Sequence, residues 1–176
     1  MLELFYADQE KYSFSFQMMA YISRLRVLRD AIKNIQSLGV SDKKFVIITE
    51  RSLYTDKMVF AQMLFDSCKI EYINYQIYLN WFDTFSSEFP LNKVVYVKTI
   101  PEKCHSRIVK RSRNGESNIS LDYLTSCSNY HNNMLDVFSK EHICNDQLIL
   151  DGNIDIYENM NQMEKWIHEI NNFIKT

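Results

Sequence analysis

Between residues 107 and 117 the sequence reads RIVKRSRNGES. Arg107, Lys110, Arg111 and Arg113 stand close together in a chain whose formal net charge is −2. A solvated helix end would account for such a run, because most charge runs are solvated faces. The spacing, however, sets Arg107, Arg111 and then Arg113 roughly along one side of a helix that frays at Asn114-Gly115. A mobile cationic element of that kind suits closure over a polyphosphate, where guanidinium groups stabilise charge on a transferring phosphoryl group. Glu116 would repel phosphate, which leaves it to accept from a hydroxyl.

Two further clusters carry chemistry. In TERSLYTD (49–56) an acid and an arginine are adjacent at the expected end of a strand and point to different sides. Arg51 offers a fork of donors to a phosphate or a polar ligand edge, with Glu50 orienting it; a structural Glu–Arg pair capping the next helix is the plainer reading. In LFYADQEKYSFSFQ, Tyr6, Phe14, Phe16 and Gln17 combine aromatic faces with an amide. Such a set can stack on a base and bond its edge, or simply pack a helix into a core; spacing alone leaves both open.

The elements that must position these residues are legible from periodicity. Apolar residues recur at helical spacing over 13–37 (Phe14, Met18, Tyr21, Leu25, Leu28, Ile32, Ile35), and Gly39 stops that helix. The β-branched run FVIIT predicts a buried strand over 45–49. Helices are expected over 53–67 and 71–88, a second strand in KVVYVKTIPE (93–102), helices over 102–112 and 120–140, and a third strand over 147–153. An amphipathic C-terminal helix follows over 157–174, with Met163, Trp166, Ile167, Ile170 and Phe173 as its packing face. Strands alternating with helices imply an α/β fold on a parallel sheet, with ligands at the carboxyl ends of the strands. The polar clusters 50–52, 107–116 and 151–155 all fall at those ends.

Bulk composition narrows the function classes. The chain has 176 residues, 46% hydrophobic and 24% charged, with three Gly and two Pro. That is an ordinary globular balance, and one domain is expected. A pI near 6.1 argues against a general nucleic-acid binder. The apolar runs fall far short of a membrane span, and the acidic start MLELFYADQEKY does not resemble a signal peptide. A cytoplasmic protein is expected. Cys68, Cys104, Cys127 and Cys144 form no CxxC pair and read as reduced thiols.

In order, FxFQ (14–17), ERSxYxD (50–56), RIxxRxRNxE (107–116), LxYL (121–124) and ILDxN (149–153) resemble the deoxynucleoside kinase family. The nearest group is that of the deoxycytidine/deoxyguanosine kinases and the insect deoxynucleoside kinase. The resemblance covers nearly the whole chain in register. It implies ATP- and Mg²⁺-dependent phosphorylation of the 5′-hydroxyl of a deoxynucleoside in nucleotide salvage, by a homodimer whose bundle uses helices 13–37 and 120–140. By the same resemblance Gln17 reads the base edge, Phe16 and Phe60 flank the base, and Tyr6 with Glu116 holds the sugar 3′-hydroxyl. Arg51 lies near the 5′-hydroxyl and phosphate, and Glu50 beside it serves Mg²⁺ and phosphate. Arg107, Arg111 and Arg113 resemble the lid arginines over the phosphates, and Asp155 falls where the family meets the donor adenine. Arg24 and Asp56 match residues that face the base and disfavour thymine, implying deoxycytidine or a deoxypurine as acceptor. A full-length form of such an enzyme could also be mitochondrial.

The sequence departs from the family at its beginning. The family starts with a strand, a GxxxxGK[ST] phosphate loop and a second strand carrying a catalytic Glu before Pro-Val; none of these occurs here. The expected fold is therefore a kinase-like parallel sheet flanked by helices, lacking those two strands, in a domain over 1–176 that is incomplete at its N-terminus. A chain so truncated is expected to be inactive by itself. The alternative is a non-catalytic pseudoenzyme that binds a nucleoside or pairs with a complete kinase.

Overall fold

A computed structural model describes residues 2–39, 45–113, 116 and 119–175. The chain divides into two compact units, 1–90 and 91–176.

The first unit is helical. A short helix α1 (Leu2–Ala7) leads into α2 (Gln9–Ser37). Asp8 caps α2, its Oδ1 accepting from the Lys11 N–H at 3.1 Å. The buried residues Ser13, Gln17, Tyr21 and Leu25 follow one another at i+4, which makes a stripe down one face. At the far end Gly39 takes φ +62°, and the Leu38 and Gly39 N–H groups return to Ile35 and Gln36, so the expected glycine stop is realised. Next come α3 (Leu53–Thr55), a π-helical segment (Asp56–Ala61) and α4 (Gln62–Asp66), which run on without a break. Then α5 (Tyr72–Phe85) ends in a 3₁₀ turn (Ser86–Glu88). The core of this unit is aromatic: Phe5, Tyr21, Tyr75, Tyr78 and Phe82 join Leu25, Leu53, Leu64 and Ile70.

The strand expected over 45–49 is not formed. These residues carry no ladder, and Val46 and Ile48 are 61% and 77% exposed. A β-branched run becomes a strand only where a neighbour presents free backbone groups, and the described residues of the first unit contain no other strand. Glu50-Arg51-Ser52 therefore lies not at a strand end but in the turn that starts α3.

The second unit holds β1 (Lys93–Lys98), α6 (Pro101–Arg111), α7 (Leu121–Lys140), β2 (Asp146–Asp151) and α8 (Met160–Lys175). The two strands pair in parallel from Lys93↔Asp146 to Lys98↔Asp151. Parallel neighbours need a long crossover, which α6 and α7 supply. Pro101 opens α6 at its first turn, where a missing N–H costs nothing. Ser120 caps α7 by accepting from the Tyr123 N–H at 3.2 Å, and Met134, Leu135 and Phe138 are the buried residues of that helix. In α8 the Lys93 Nζ donates to the Phe173 carbonyl at 2.8 Å. Met163, Trp166, Ile170 and Phe173 are half-buried as expected, but Ile167 is exposed, so the packing face is narrower than its apolar pattern. Among the described residues no helix is long and apolar enough to cross a membrane.

Candidate active site

The expected site residues fall into two sets, one in each unit. In the first unit, Arg24 reaches from α2 to Asp56 at the start of the π-helical segment. Its Nε donates to Oδ2 at 2.7 Å and its Nη2 to Oδ1 at 3.5 Å, while Nη1 donates to the Glu50 carbonyl oxygen. Asp56 is only 2% exposed. Burial is the main influence on its carboxyl and holds its pKa above the usual carboxylate range, against the opposing pull of Arg24 and, more weakly, Arg51. π-Helical turns are rare and concentrate at functional sites; this one presents Asp56 at its first residue and Phe60 one turn later.

Arg51 adopts φ +65°, a left-handed conformation that few side-chain-bearing residues take. Thr49 Oγ1 donates to its carbonyl at 2.7 Å, and Ser52 Oγ then accepts from the Thr55 N–H to cap α3. The turn lays the Arg51 guanidinium over the Phe60 ring, 4.5 Å from its centroid. Arg24, Arg51, Asp56, Phe60 and the Glu50 backbone are thus gathered as a group, and the Glu50 side chain is exposed.

Gln17 lies on the buried stripe of α2, 3% exposed, and its amide makes no hydrogen bond among the described residues. Phe16 stacks on Phe5 with centroids 4.5 Å apart, and Tyr6 tilts against Phe5 at 5.0 Å. Phe16 is therefore engaged in packing. Two hydroxyls of the same unit, Ser13 Oγ and Tyr78 OH, are buried without a hydrogen-bond partner. Tyr78 sits edge-on to Tyr21, 5.7 Å between centroids, and burial pushes its phenol well above the usual tyrosine range. Nothing in the sequence singles out either hydroxyl, because both belong to apolar helical stripes.

In the second unit the basic run divides its partners. Arg107 donates from Nη1 to the Gly152 carbonyl at 2.7 Å and from Nη2 to the Ile154 carbonyl at 3.5 Å. It faces the turn after β2, whereas the resemblance implied phosphates. Arg111 forks onto Glu116, with Nη2 at 2.8 Å from both carboxylate oxygens and Nε at 3.2 Å from Oε2. Arg113 is exposed, and its carbonyl accepts from the Glu116 N–H at 3.2 Å. Ser112, in the left-handed region at φ +50°, ends α6 between these two arginines. The expected hinge residues Asn114 and Gly115 lie outside the described residues.

Asp155 Oδ1 accepts from the Tyr157 N–H at 3.0 Å, and the turn that leaves β2 begins at Gly152. A Cβ on Gly152 would meet Thr99 Oγ1 at 2.1 Å and the Lys98 carbonyl at 3.1 Å, so glycine alone permits this close approach. Beside it a cleft of about 360 Å³ opens at the carboxyl ends of β1 and β2, between Thr99, Pro101, Ser128, Asp151 and Asn153. Lys103, which lies outside every quoted motif, donates from Nζ to the Asn153 carbonyl at 2.8 Å. None of the four cysteines is in a disulfide, and the described residues contain no group of three or more His, Cys, Asp or Glu side chains that could hold a metal ion.

The family model described as deoxynucleoside kinase matches residues 1–175. The chain belongs to the deoxynucleoside kinase family. It is 30% identical to deoxycytidine kinase 1 of Xenopus laevis over an alignment of 190 residues, covering 100% of this chain and 69% of that protein. It is 33% identical to the deoxycytidine kinase of Mus musculus over 138 residues, covering 76% of this chain and 52% of the mouse protein. The curated relatives are therefore matched over about half to two-thirds of their own length. Among solved structures, the deoxyadenosine kinase from M. mycoides with bound dCTP superimposes with a TM-score of 0.73 at 20% identity, covering 97% of this chain and 79% of that one. The deoxynucleoside kinase fold, helix-rich with a small parallel sheet, is thus shared at the level of architecture.

Proposed function

We propose that this deoxynucleoside kinase family chain binds a deoxynucleoside, deoxycytidine or a deoxypurine in preference to thymidine, for 5′-phosphorylation from ATP. The observation that carries this reading is the Arg24–Asp56 pair, its carboxylate buried, with Gln17 buried on the same helix as Arg24. A fixed donor fork, a carboxylate and an amide in one helical unit are what a base edge requires. An exocyclic amino group donates to the carboxylate, whereas thymine offers a carbonyl there. Tyr6 and Glu116 keep the hydroxyl-binding roles that the resemblance implies.

In the transfer itself the 5′-oxygen bonds to the γ-phosphorus as the bridging oxygen leaves with ADP. Arg111 and Arg113, at the end of α6, carry the charge that would meet the phosphates, with Arg111 exchanging Glu116 for phosphate oxygen. Glu50 supports a role toward Mg²⁺ because its carboxylate is exposed and Mg²⁺ takes most of its ligands from phosphate and water. Mg²⁺–ATP supplies the transferring phosphoryl group when bound. The phosphate loop and the Glu that takes the hydroxyl proton in the family are absent from these residues, so 1–176 alone supplies acceptor and lid groups and not the complete catalyst.

A second reading, a non-catalytic nucleoside-binding or dimer-partner protein, is favoured by one further observation. Ile73, Ile77 and Trp81 form an exposed apolar stripe along α5, and Met19 and Ile22 are exposed on α2. The resemblance implies a homodimer bundle of helices 13–37 and 120–140, and the exposed Met19 and Ile22 on the first of these support that reading. Calorimetric titration of 1–176 with deoxycytidine, deoxyadenosine, deoxyguanosine and thymidine, followed by an assay with labelled ATP, separates the readings. Binding without turnover is expected. Turnover by this chain alone would refute the division of labour, and absence of any nucleoside binding would refute the base-recognition reading and leave only a dimer partner, which sedimentation would read.

A further inference from the structure

The basic residues of α6 serve the turn after β2 more than they serve solvent. Three successive carbonyls of that turn accept from cationic side chains of one helix: Gly152 and Ile154 from Arg107, and Asn153 from Lys103. Asn153 returns the contact, its Oδ1 accepting from the Ile100 N–H at 3.0 Å just ahead of α6. The Asn153 Nδ2 and N–H both donate to Asp151 Oδ1, at 2.8 and 2.9 Å, which fixes the amide's orientation. The Gly152 N–H closes the turn onto the Lys98 carbonyl at 2.7 Å. A solvated charge run needs no such pattern, since exposed lysine and arginine side chains gain little by fixing their heads on carbonyls that water could serve.

We propose that Lys103, Arg107 and Asn153 are positioning residues that clamp α6 to the 151–155 turn, so that the lid arginines and the donor end of the site move as one body. The inference rests on the kinase reading given above for the donor end and assigns Arg107 a role through the turn and not on phosphate. Arg107 spans two carbonyls with one planar fork, which lysine cannot do although it keeps the charge. Lys103 uses its terminal ammonium alone, so Lys103→Met removes the contact and keeps the stem.

The test uses the full 1–176 chain, with Arg107→Lys, Lys103→Met and Lys103→Arg. Amide exchange over 152–155 reads the clamp without any ligand, and displacement of a fluorescent adenine nucleotide by ATP reads the donor end. Titration with deoxycytidine reads the acceptor end. Arg107→Lys and Lys103→Met are each expected to speed exchange in the turn and weaken ATP about tenfold, the equivalent of one hydrogen bond, with deoxycytidine binding unchanged and Lys103→Arg near the parent. Unchanged exchange overturns the clamp. Faster exchange with unchanged ATP affinity, an equal loss of both ligands, or a parent chain that binds deoxycytidine but not ATP overturns the positioning role. A parent that binds neither ligand refutes the kinase reading instead, and the exchange measurement still decides the clamp.

Discussion

Arg24 and Asp56, thirty-two residues apart in the chain, meet through Nε and Oδ2 at 2.7 Å, with the Asp56 side chain almost wholly removed from water. Taking a carboxylate out of water carries a desolvation cost that its partner only partly offsets. The pair is thus better understood as a fixed polar template than as a source of stability.

Its titration gives the first prediction. The Asp56 carboxyl is raised in the folded chain, with burial as the largest cause. The folded state therefore holds its proton at pH values where the unfolded chain, near the ordinary Asp value of about 3.9, has lost it. Its contribution to stability is present at low pH and is lost as pH rises from there through the raised value. Urea midpoints of the parent should decline relative to Asp56→Asn across that window. Parallel profiles would show that Asp56 is not desolvated as described.

Base choice follows from the same pair, in a protein supplied with a family phosphate loop. A buried acceptor left facing a carbonyl costs about 1–3 kcal/mol, roughly a tenfold to hundredfold discrimination. Arg24→Met combined with Asp56→Ala should admit thymidine. Ratios of kcat/KM among the four deoxynucleosides that do not move would remove these two side chains from base recognition.

The lid arginines should separate kinetically in that protein. Arg111→Ala and Arg113→Ala are expected to lower kcat by about a hundredfold or more with little change in nucleoside KM, because they act on charge that develops during transfer. Losing the Arg111–Glu116 pair should cost less than about 1 kcal/mol of stability, as Arg111 is 47% exposed. Parent-like kcat in both variants would return the run to a solvated face.

Tyr78→Phe tests the buried hydroxyl that has no partner. Removing an unsatisfied polar group from an aromatic core while keeping the ring should leave stability equal or raise it by about 1 kcal/mol. Thermal unfolding checks this, and a clear fall in Tm would mean that the hydroxyl holds a water.

The sequence by itself determined the family, the helices after α1 and the order of the two strands that form. Helical spacing marked α2, a glycine marked its end, and the short apolar runs around Val95 and Leu148 marked β1 and β2, because periodicity and turn chemistry act locally. It also gathered the right residue types, since ERS and RxRNxE keep their spacing along the chain. Tertiary structure decided what local pattern cannot contain. FVIIT has every property of a strand except a neighbour to pair with, and pairing is a property of two segments. The partners of Arg107, Arg111 and Asp56 depend equally on where distant backbone and side chains come to lie. A run of identical charges was therefore resolved only by the fold into an arginine that holds a turn, one that holds Glu116, and an exposed one.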